Sequence, residues 1–278
     1  MLLSSTDLAR LAALAAARRS SAPGAPGGAR PGARKGAGSQ FEGHRGYVSG
    51  DDPRTIDWAA YARTENLVIR EFREEVEGTL AVLLDASASM APWGKSLTAK
   101  RVAAAAAVVA LLQGDQTRLA AFAAGKALEP RGFGNPKDIP ELDRHVESIG
   151  TAGAGGGLAA AKTLLHARRG RILFVSDLLE EESAGPALVA LRVHGHAVTV
   201  VHVVASEEAH PPEGLLRLRD AETGEIREVL FDDATAASYS RALEDFAGNW
   251  RTLCASHGIA YIRLAAGAPL AEWAEAVC

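Results

Sequence analysis

Five short apolar segments follow one another from residue 79 onward, and the stretches between them are long enough to hold helices. Runs such as LAVLL and VTVVHVV are apolar on both faces, as parallel strands covered by helices on both sides require. This alternation predicts an α/β fold with a doubly wound, mostly parallel sheet and right-handed crossovers. The five predicted strands are TLAVLLD at 79–85, TRLAAFA at 117–123, RILFVSD at 171–177, AVTVVHVV at 197–204 and IAYIRL at 259–264.

The segments around these strands carry the periodicity of helices. One interruption, LLRLRDAETGEIREVLF at 215–231, is predicted to be an inserted hairpin. Aromatic residues make up only 5% of the chain, so the core must consist mainly of Ala, Val and Leu. His202 lies in the middle of a predicted strand and is expected to be a buried core histidine rather than a ligand. The predicted helices cover 96–113, 137–148, 158–168, 184–194, 234–257 and 269–277.

The chain before the first of these strands divides into three parts. Residues 1–19 are predicted to form a short helix with a leucine stripe. Residues 20–40 are rich in Gly and Pro and are predicted to be a flexible linker. Residues 41–77 mix aromatic and charged residues, and we expect them to pack on the sheet of the domain formed by 78–278. Trp58 belongs either to that packing or to a docking surface.

Bulk properties exclude several classes of protein. The formal net charge of −4 argues against a general nucleic-acid binder. The longest apolar run, VAAAAAVVALL at 102–112, is too short for a membrane span, which needs about 20 residues. Asp7 and Arg10 interrupt the N-terminal apolar stretch where a signal peptide would be continuous. The two cysteines are far apart in the sequence, which favours a reducing compartment. We therefore predict a cytoplasmic protein.

Two predicted strands end in an acid, Asp85 and Asp177. Ligands of open α/β sheets bind beyond the carboxyl ends of strands, where the strand order reverses. If these strands are neighbours, their carboxylates meet at one edge, and Ser87 and Ser89 present hydroxyls to the same side. Such hard oxygen ligands suit Mg²⁺ or Mn²⁺. In the alternative interpretation, Asp85 and Ser87 cap the next helix, although that helix begins about seven residues after Asp85.

The segment DASAS at 85–89 has the D-x-S-x-S pattern of the metal-ion-dependent adhesion site of von Willebrand factor A-type domains. The stretch YVSGDDPRTIDWAAYARTENLVIREFREE, which continues into LAVLLDASASM, resembles the hallmark of a bacterial family called domain of unknown function 58. ILFVSDLLEE and DAETGEIREVLF are also similar to that family, so the resemblance covers about residues 41–277. It implies a von Willebrand factor A-like fold and frequent partnership with MoxR-type AAA+ ATPases.

Carried over by position, the resemblance implies Asp85, Ser87, Ser89 and Asp177 as metal ligands. A partner's Asp or Glu would fill the open coordination position. The chain departs from the pattern in the loop GTAGAGGGLAAAK, where Gly156 stands at the usual threonine position. Thr151, five residues upstream, is the alternative hydroxyl donor, and without any hydroxyl the affinity for metal would be weakened.

Three functions are compatible with these residues. We favour a non-enzymatic protein-interaction module, an adaptor of an AAA+ ATPase, because the ligand set contains no nucleophile–base pair. The alternatives are a metal-dependent phosphatase-like hydrolase using Asp85, which lacks the usual second acid, and a scaffold with a vestigial site. The Gly-Lys-Ser of APWGKSLT resembles part of a P-loop, but Ser89 stands where a P-loop needs its first glycine.

Overall fold

A computed structural model describes residues 1–20, 30–48, 56–64, 66–76, 78–179 and 184–278. The chain forms two compact units, one of Met1–Ala16 with Thr79–Cys278 and one of Ala17–Gly78. In chain order, the helices and strands are α1 (Ser5–Ser20), β1 (Arg30–Gly46), α2 (Trp58–Thr64), β2 (Val68–Val76), β3 (Thr79–Asp85), α3 (Lys95–Leu112), β4 (Gln116–Ala123), β5 (Lys126–Ala127), β6 (Arg131–Phe133), α4 (Ile139–Ser148), α5 (Gly157–Thr163), β7 (Arg171–Ser176), α6 (Gly185–Val193), β8 (Ala197–Val204), α7 (Ser206–Ala209), β9 (Gly214–Arg219), β10 (Ile226–Phe231), α8 (Asp233–Ser256), β11 (Ala260–Ala265) and α9 (Leu270–Val277).

The larger unit is built on a sheet of seven described strands in the order β11-β8-β7-β3-β4-β5, with β6 also paired to β4. The first five strands of this order are parallel, and β5 and β6 run antiparallel to β4. From β3 the chain moves outward to β4 and then returns to β7 on the other side of β3, so the order reverses beside β3. The predicted doubly wound, mostly parallel α/β fold is confirmed. The predicted hairpin is also present, as β9 paired with β10.

The core lies on both faces of this sheet. Alternate residues of β3 lie on opposite faces of the sheet. Val82 and Leu84 pack in one apolar cluster, and Leu83 packs in the other. The first cluster contains α3, whose residues 102–111 are all buried, as expected of a helix that is apolar all round. In the second cluster the rings of Phe122 and Phe174 stack with centroids 5.1 Å apart.

Helix α1 (Ser5–Ser20) lies in the segment where we predicted an N-terminal helix, and it contributes to the core of the larger unit. Leu11 and Ala15 are fully buried in the same cluster as α3. The helix begins after Ser4, whose hydroxyl accepts from the Asp7 N–H at 3.1 Å while the Asp7 carboxylate accepts from the Ser4 N–H at 3.0 Å. This reciprocal cap and the buried apolar face explain why so short a helix is stable.

In the smaller unit, β1 pairs antiparallel with β2. Residues 30–40, which we expected to be flexible linker, lie in β1, and 21–29 lie outside the described residues. The composition argument considered only side-chain burial, whereas backbone groups alone can form a ladder once a partner strand is present. Register shifts interrupt the ladder between Pro31 and Gly43. Packing of segment 41–77 on the sheet stays a prediction.

Two bulk predictions can be compared with the structure. Among the described residues, none of the helices combines the length and apolar character that a bilayer span requires. Cys254 and Cys278 are both buried and form no disulfide. The cytoplasmic location itself stays a prediction.

Candidate functional site

The carboxyl ends of β3 and β7 meet at the point where the strand order reverses. Leu84 of β3 is paired with Val175 of β7, so Asp85 lies beside Ser176, and Asp177 follows directly. Both carboxylates are buried, each with 2% of its surface exposed. The two strand-end acids therefore share one edge of the sheet, as the sequence predicted.

Asp85 is held by hydrogen bonds on both of its carboxylate oxygens. The Ser87 N–H donates to Oδ1 at 2.8 Å, which is the local turn that an Asp after a strand favours. The Ser176 hydroxyl donates to Oδ2 at 2.6 Å and itself accepts from the Leu178 N–H at 2.8 Å. Ser176 was not identified in the sequence because it lies inside the apolar strand run.

Burial is the main influence on the charge of Asp85. It raises the pKa of this carboxyl from 3.8 to about 6, and the nearby Asp177 carboxylate acts in the same direction. The hydrogen bonds from Ser176 and Ser87 lower the pKa but do not compensate fully. Removing a carboxylate from water disfavours its charged form, so this edge holds its negative charge at a cost in stability.

The two serines of the DASAS segment lie together, as expected. The Ser87 Oγ is 2.9 Å from the Ser89 Oγ, and Ser87 is buried while Ser89 is half-buried. Their loop is fixed against residues 150–156 by two backbone hydrogen bonds. The Ala88 N–H donates to the Gly153 carbonyl at 2.8 Å, and the Ala152 N–H donates to the Ala86 carbonyl at 2.9 Å. The three segments of the predicted site are therefore adjacent.

The glycine at the usual threonine position has a structural cause. Gly156 precedes α5 with φ near 172°, so its backbone is not left-handed. A Cβ atom there would lie 2.7 Å from the Lys126 backbone nitrogen and 3.1 Å from the Gly125 carbonyl carbon. The close approach of this backbone therefore requires glycine. Participation of Thr151 stays a prediction.

Lys95 is the main site residue that sequence reasoning missed. It is the first residue of α3, and its side chain is 1% exposed. Its Nζ donates to the Asp177 Oδ2 at 2.9 Å and to the Glu208 Oε1. The preceding residues Trp93 and Gly94 both have left-handed backbones, with φ of 52° and 75°. This turn begins α3 with Lys95 at the sheet edge.

Glu208 comes from the other neighbour of β7. It lies on α7, directly after β8, and 16% of its side chain is exposed. Its Oε2 accepts from the Ala205 N–H at 3.1 Å, and its carbonyl accepts from the Tyr239 hydroxyl at 2.7 Å. Glu208 is thus the most exposed member of the charged group that it forms with Lys95 and Asp177.

His202 is confirmed as a buried core histidine. It is 3% exposed, and its Nδ1 lies 2.6 Å from the Tyr261 hydroxyl. Burial lowers the pKa of this imidazole from 6.5 to about 4, and the positive charge of Arg263 acts in the same direction. The ring is therefore neutral at physiological pH.

The donor set does not fit a complete Mg²⁺ or Mn²⁺ site. Within the parts of the chain that the structure describes, there is no group of three or more His, Cys, Asp or Glu side chains that could hold a metal ion. Of the four predicted ligands, Asp177 is engaged by an ammonium group and the two serine hydroxyls are bonded to each other. A divalent ion sharing Asp177 would be repelled by Lys95. Metal binding by Asp85, Ser87, Ser89 and Asp177 stays a prediction.

Several solved structures resemble part of this chain at low sequence identity. A conserved hypothetical protein BatB from Bacteroides thetaiotaomicron is 17% identical with a TM-score of 0.45, and the match covers 72% of this chain and 95% of that one. An aerotolerance-related membrane protein from Bacteroides fragilis is 19% identical with a TM-score of 0.46, over 72% and 96%. A von Willebrand factor type A protein from Catenulispora acidiphila has a TM-score of 0.39 at 17% identity, over 48% and 34%. These TM-scores are too low to transfer any property to this chain.

Sequence comparison gives a firmer result. The uncharacterized proteins Rv1480 of Mycobacterium tuberculosis and Mb1516 of Mycobacterium bovis are each 33% identical to this chain over an alignment of 221 residues. The alignment covers 74% of this chain and 68% of each relative. The model of the family described as "Protein of unknown function DUF58" matches residues 43–246, which is more than half of the chain. The chain therefore belongs to the DUF58 family.

Proposed function

We propose that this chain is a non-enzymatic protein-interaction module whose recognition surface is the sheet edge around Asp85, Ser89 and Asp177. The supporting observation is the chemistry of the buried charged group. Its members are a carboxylate bonded to hydroxyl and amide groups and an ammonium bonded to two carboxylates. Such an arrangement presents fixed charge and shape, and it contains no activated nucleophile.

A phosphatase-like hydrolase is less well supported. Asp85 is 2% exposed, and both of its oxygens accept hydrogen bonds, so an in-line attack on a phosphate would require it to be released. Ser87 stands at the position where such enzymes carry a second acid. Ser176 donates to a carboxylate, as a serine nucleophile would, but it is fully buried and cannot reach a substrate.

The partner that we propose is a MoxR-type AAA+ ATPase, for which this chain would act as adaptor. This choice rests on the family resemblance of the sequence. A scaffold with a vestigial site is the second candidate, favoured by the incomplete donor set for a metal.

The test is direct binding to the purified MoxR-type ATPase from the same organism. Ser89→Tyr places a bulky neutral group at the mouth of the edge, where Ser89 is half-buried, and should weaken binding at least about tenfold, or 1.4 kcal/mol. Ser256→Tyr, at the exposed end of α8, is the matched control and should bind like the wild type. Equal affinity of both variants would remove this edge from the interface.

A parallel assay separates the module from the hydrolase. The wild-type chain is incubated with p-nitrophenyl phosphate in the presence of Mg²⁺ or Mn²⁺. We expect no turnover. Hydrolysis that disappears in Asp85→Asn would establish the enzyme instead.

A further inference from the structure

We infer that the ammonium group of Lys95 is the resident cation of this edge and takes the place of a divalent metal. The inference deepens the proposed function and rests on it for the identity of the recognition surface. Its chemical consequence is that the strand-end acid Asp177 is neutralised by a positive charge that the chain itself supplies.

The side chain of Lys95 is buried, so its positive charge has to be compensated by groups within the site. Its side chain is among the largest that are fully buried in the described part of the chain. Moving an ammonium group out of water is costly, and the burial is tolerated only where carboxylates compensate the charge. Here two carboxylates do so, from Asp177 and Glu208, with 2% and 16% of their side chains exposed. One of the two is the strand-end acid predicted to hold a metal.

Few side chains at this edge remain free to act as ligands of a divalent ion. Three carboxylates lie at this edge: Asp177 and Glu208 are paired with the Lys95 ammonium, and Asp85 lies near Asp177. A metal would be left with Asp85, which is bonded to Ser176 and the loop backbone, and with two hydroxyls bonded to each other.

The absence of a hydroxyl at residue 156 is an independent observation that also disfavours a metal at this edge. The backbone of Lys126 fills the space that a side chain at residue 156 would need. The loop is therefore shaped around a position without a ligand, while the positive charge at Asp177 comes from Lys95 of α3. The site is built to hold an ammonium group.

The decisive experiment titrates the full chain with Mn²⁺ alone, following free Mn²⁺ by electron paramagnetic resonance. Wild type should show no saturable binding at millimolar Mn²⁺, and its Tm should be the same in EDTA and in MnCl₂. Lys95→Met should bind Mn²⁺ at least about tenfold more tightly than wild type, because Asp177 and Glu208 would then have no counter-charge. Lys100→Met, on the same helix but bonded to the Glu147 carbonyl, is the matched control and should behave like wild type.

Two results would overturn the inference. One is saturable Mn²⁺ binding by wild type that raises its Tm. The other is a folded Lys95→Met variant with no gain in Mn²⁺ affinity. If Lys95→Met fails to fold without metal, Lys95→Met/Glu208→Gln carries one buried carboxylate fewer and is titrated instead, with the same gain expected. No partner takes part in these measurements, so a failed ATPase experiment would leave this result intact.

Discussion

Replacing Asp85 by Asn removes a buried carboxyl whose pKa is raised from 3.8 to about 6, mainly by burial. The folded state holds this proton more tightly than the unfolded state, so the group lowers the stability of the wild type as the pH rises from about 4 to 6. Above about pH 6 the carboxylate is charged in both states and the full penalty persists. It amounts to about 3 kcal/mol, since each pKa unit corresponds to about 1.4 kcal/mol.

A second buried group opposes this trend over the same pH range. The pKa of His202 is lowered from 6.5 to about 4, mainly by burial. The folded state holds this proton less tightly than the unfolded state. The stability that the neutral ring contributes is therefore fully present above about pH 6.5 and is lost as the pH falls towards about 4. Its size is also about 3 kcal/mol.

In wild type the contributions of Asp85 and His202 to the pH dependence of the unfolding free energy cancel over most of this range. Substituting one of the two residues leaves the contribution of the other visible. Asp85→Asn should show a free energy of unfolding that rises by about 3 kcal/mol between roughly pH 4 and pH 6.5. At neutral pH it should exceed that of wild type by up to about 3 kcal/mol. His202→Gln should show the opposite slope, with stability falling as the pH rises from about 4 to 6.

Urea unfolding of the three proteins at a series of pH values between about 4 and 8 measures these slopes. Other acids also titrate near the lower end of this range, but their contributions are common to all three proteins and drop out of the differences. An Asp85→Asn profile parallel to that of wild type, or a variant less stable than wild type at neutral pH, would show that burial of this carboxylate carries no such penalty.

Three further substitutions test the packing. Leu11→Ala should lower the free energy of unfolding in urea by about 2–5 kcal/mol, because this side chain is fully buried in the main core; a loss below about 1 kcal/mol would detach α1 from that core. Gly156→Ala should lower the Tm because its Cβ meets the Lys126 backbone, whereas Gly150→Ala, with open space, should lower it less; equal values would contradict the close approach. Trp58→Ala should change the unfolding free energy by less than about 0.5 kcal/mol, since the ring is 59% exposed; a larger loss would indicate a packed ring.

The main sheet could be predicted because its strands are short apolar runs bounded by turns. The predicted segments 79–85 and 197–204 coincide with β3 and β8. The segments for β4 and β7 differ from the observed strands by one residue at one end, and that for β11 is displaced by one residue. The antiparallel strands β5 and β6 were missed because two and three residues carry no periodicity. β1 was missed because its pairing with β2 depends on backbone groups, which composition does not reveal.

The candidate site was predictable only where a general rule connects distant segments. The rule that ligands meet beyond strand ends correctly placed Asp85 beside Asp177, and the spacing of Ser87 and Ser89 correctly placed their hydroxyls together. No such rule identifies Ser176, because it lies at the end of a segment whose other residues predict a buried apolar strand. Comparison with the adhesion-site motif showed that Gly156 stands where a threonine hydroxyl is usual. Only the close approach of the Lys126 backbone explains why this residue must be glycine.

The role of Lys95 could not be predicted from the residues next to it in the sequence. Beside Gly94 and Ser96 it was compared with a P-loop, in which a lysine at a helix start faces phosphate. Its actual partners, Asp177 and Glu208, lie 82 and 113 residues away in the sequence. A cation at a helix N-terminus is opposed by the helix dipole, and burial adds to that penalty. A buried lysine at the first position of a helix that continues as a long apolar run therefore indicates anions nearby. In a chain without a P-loop, the acids that follow parallel strands are the first candidates.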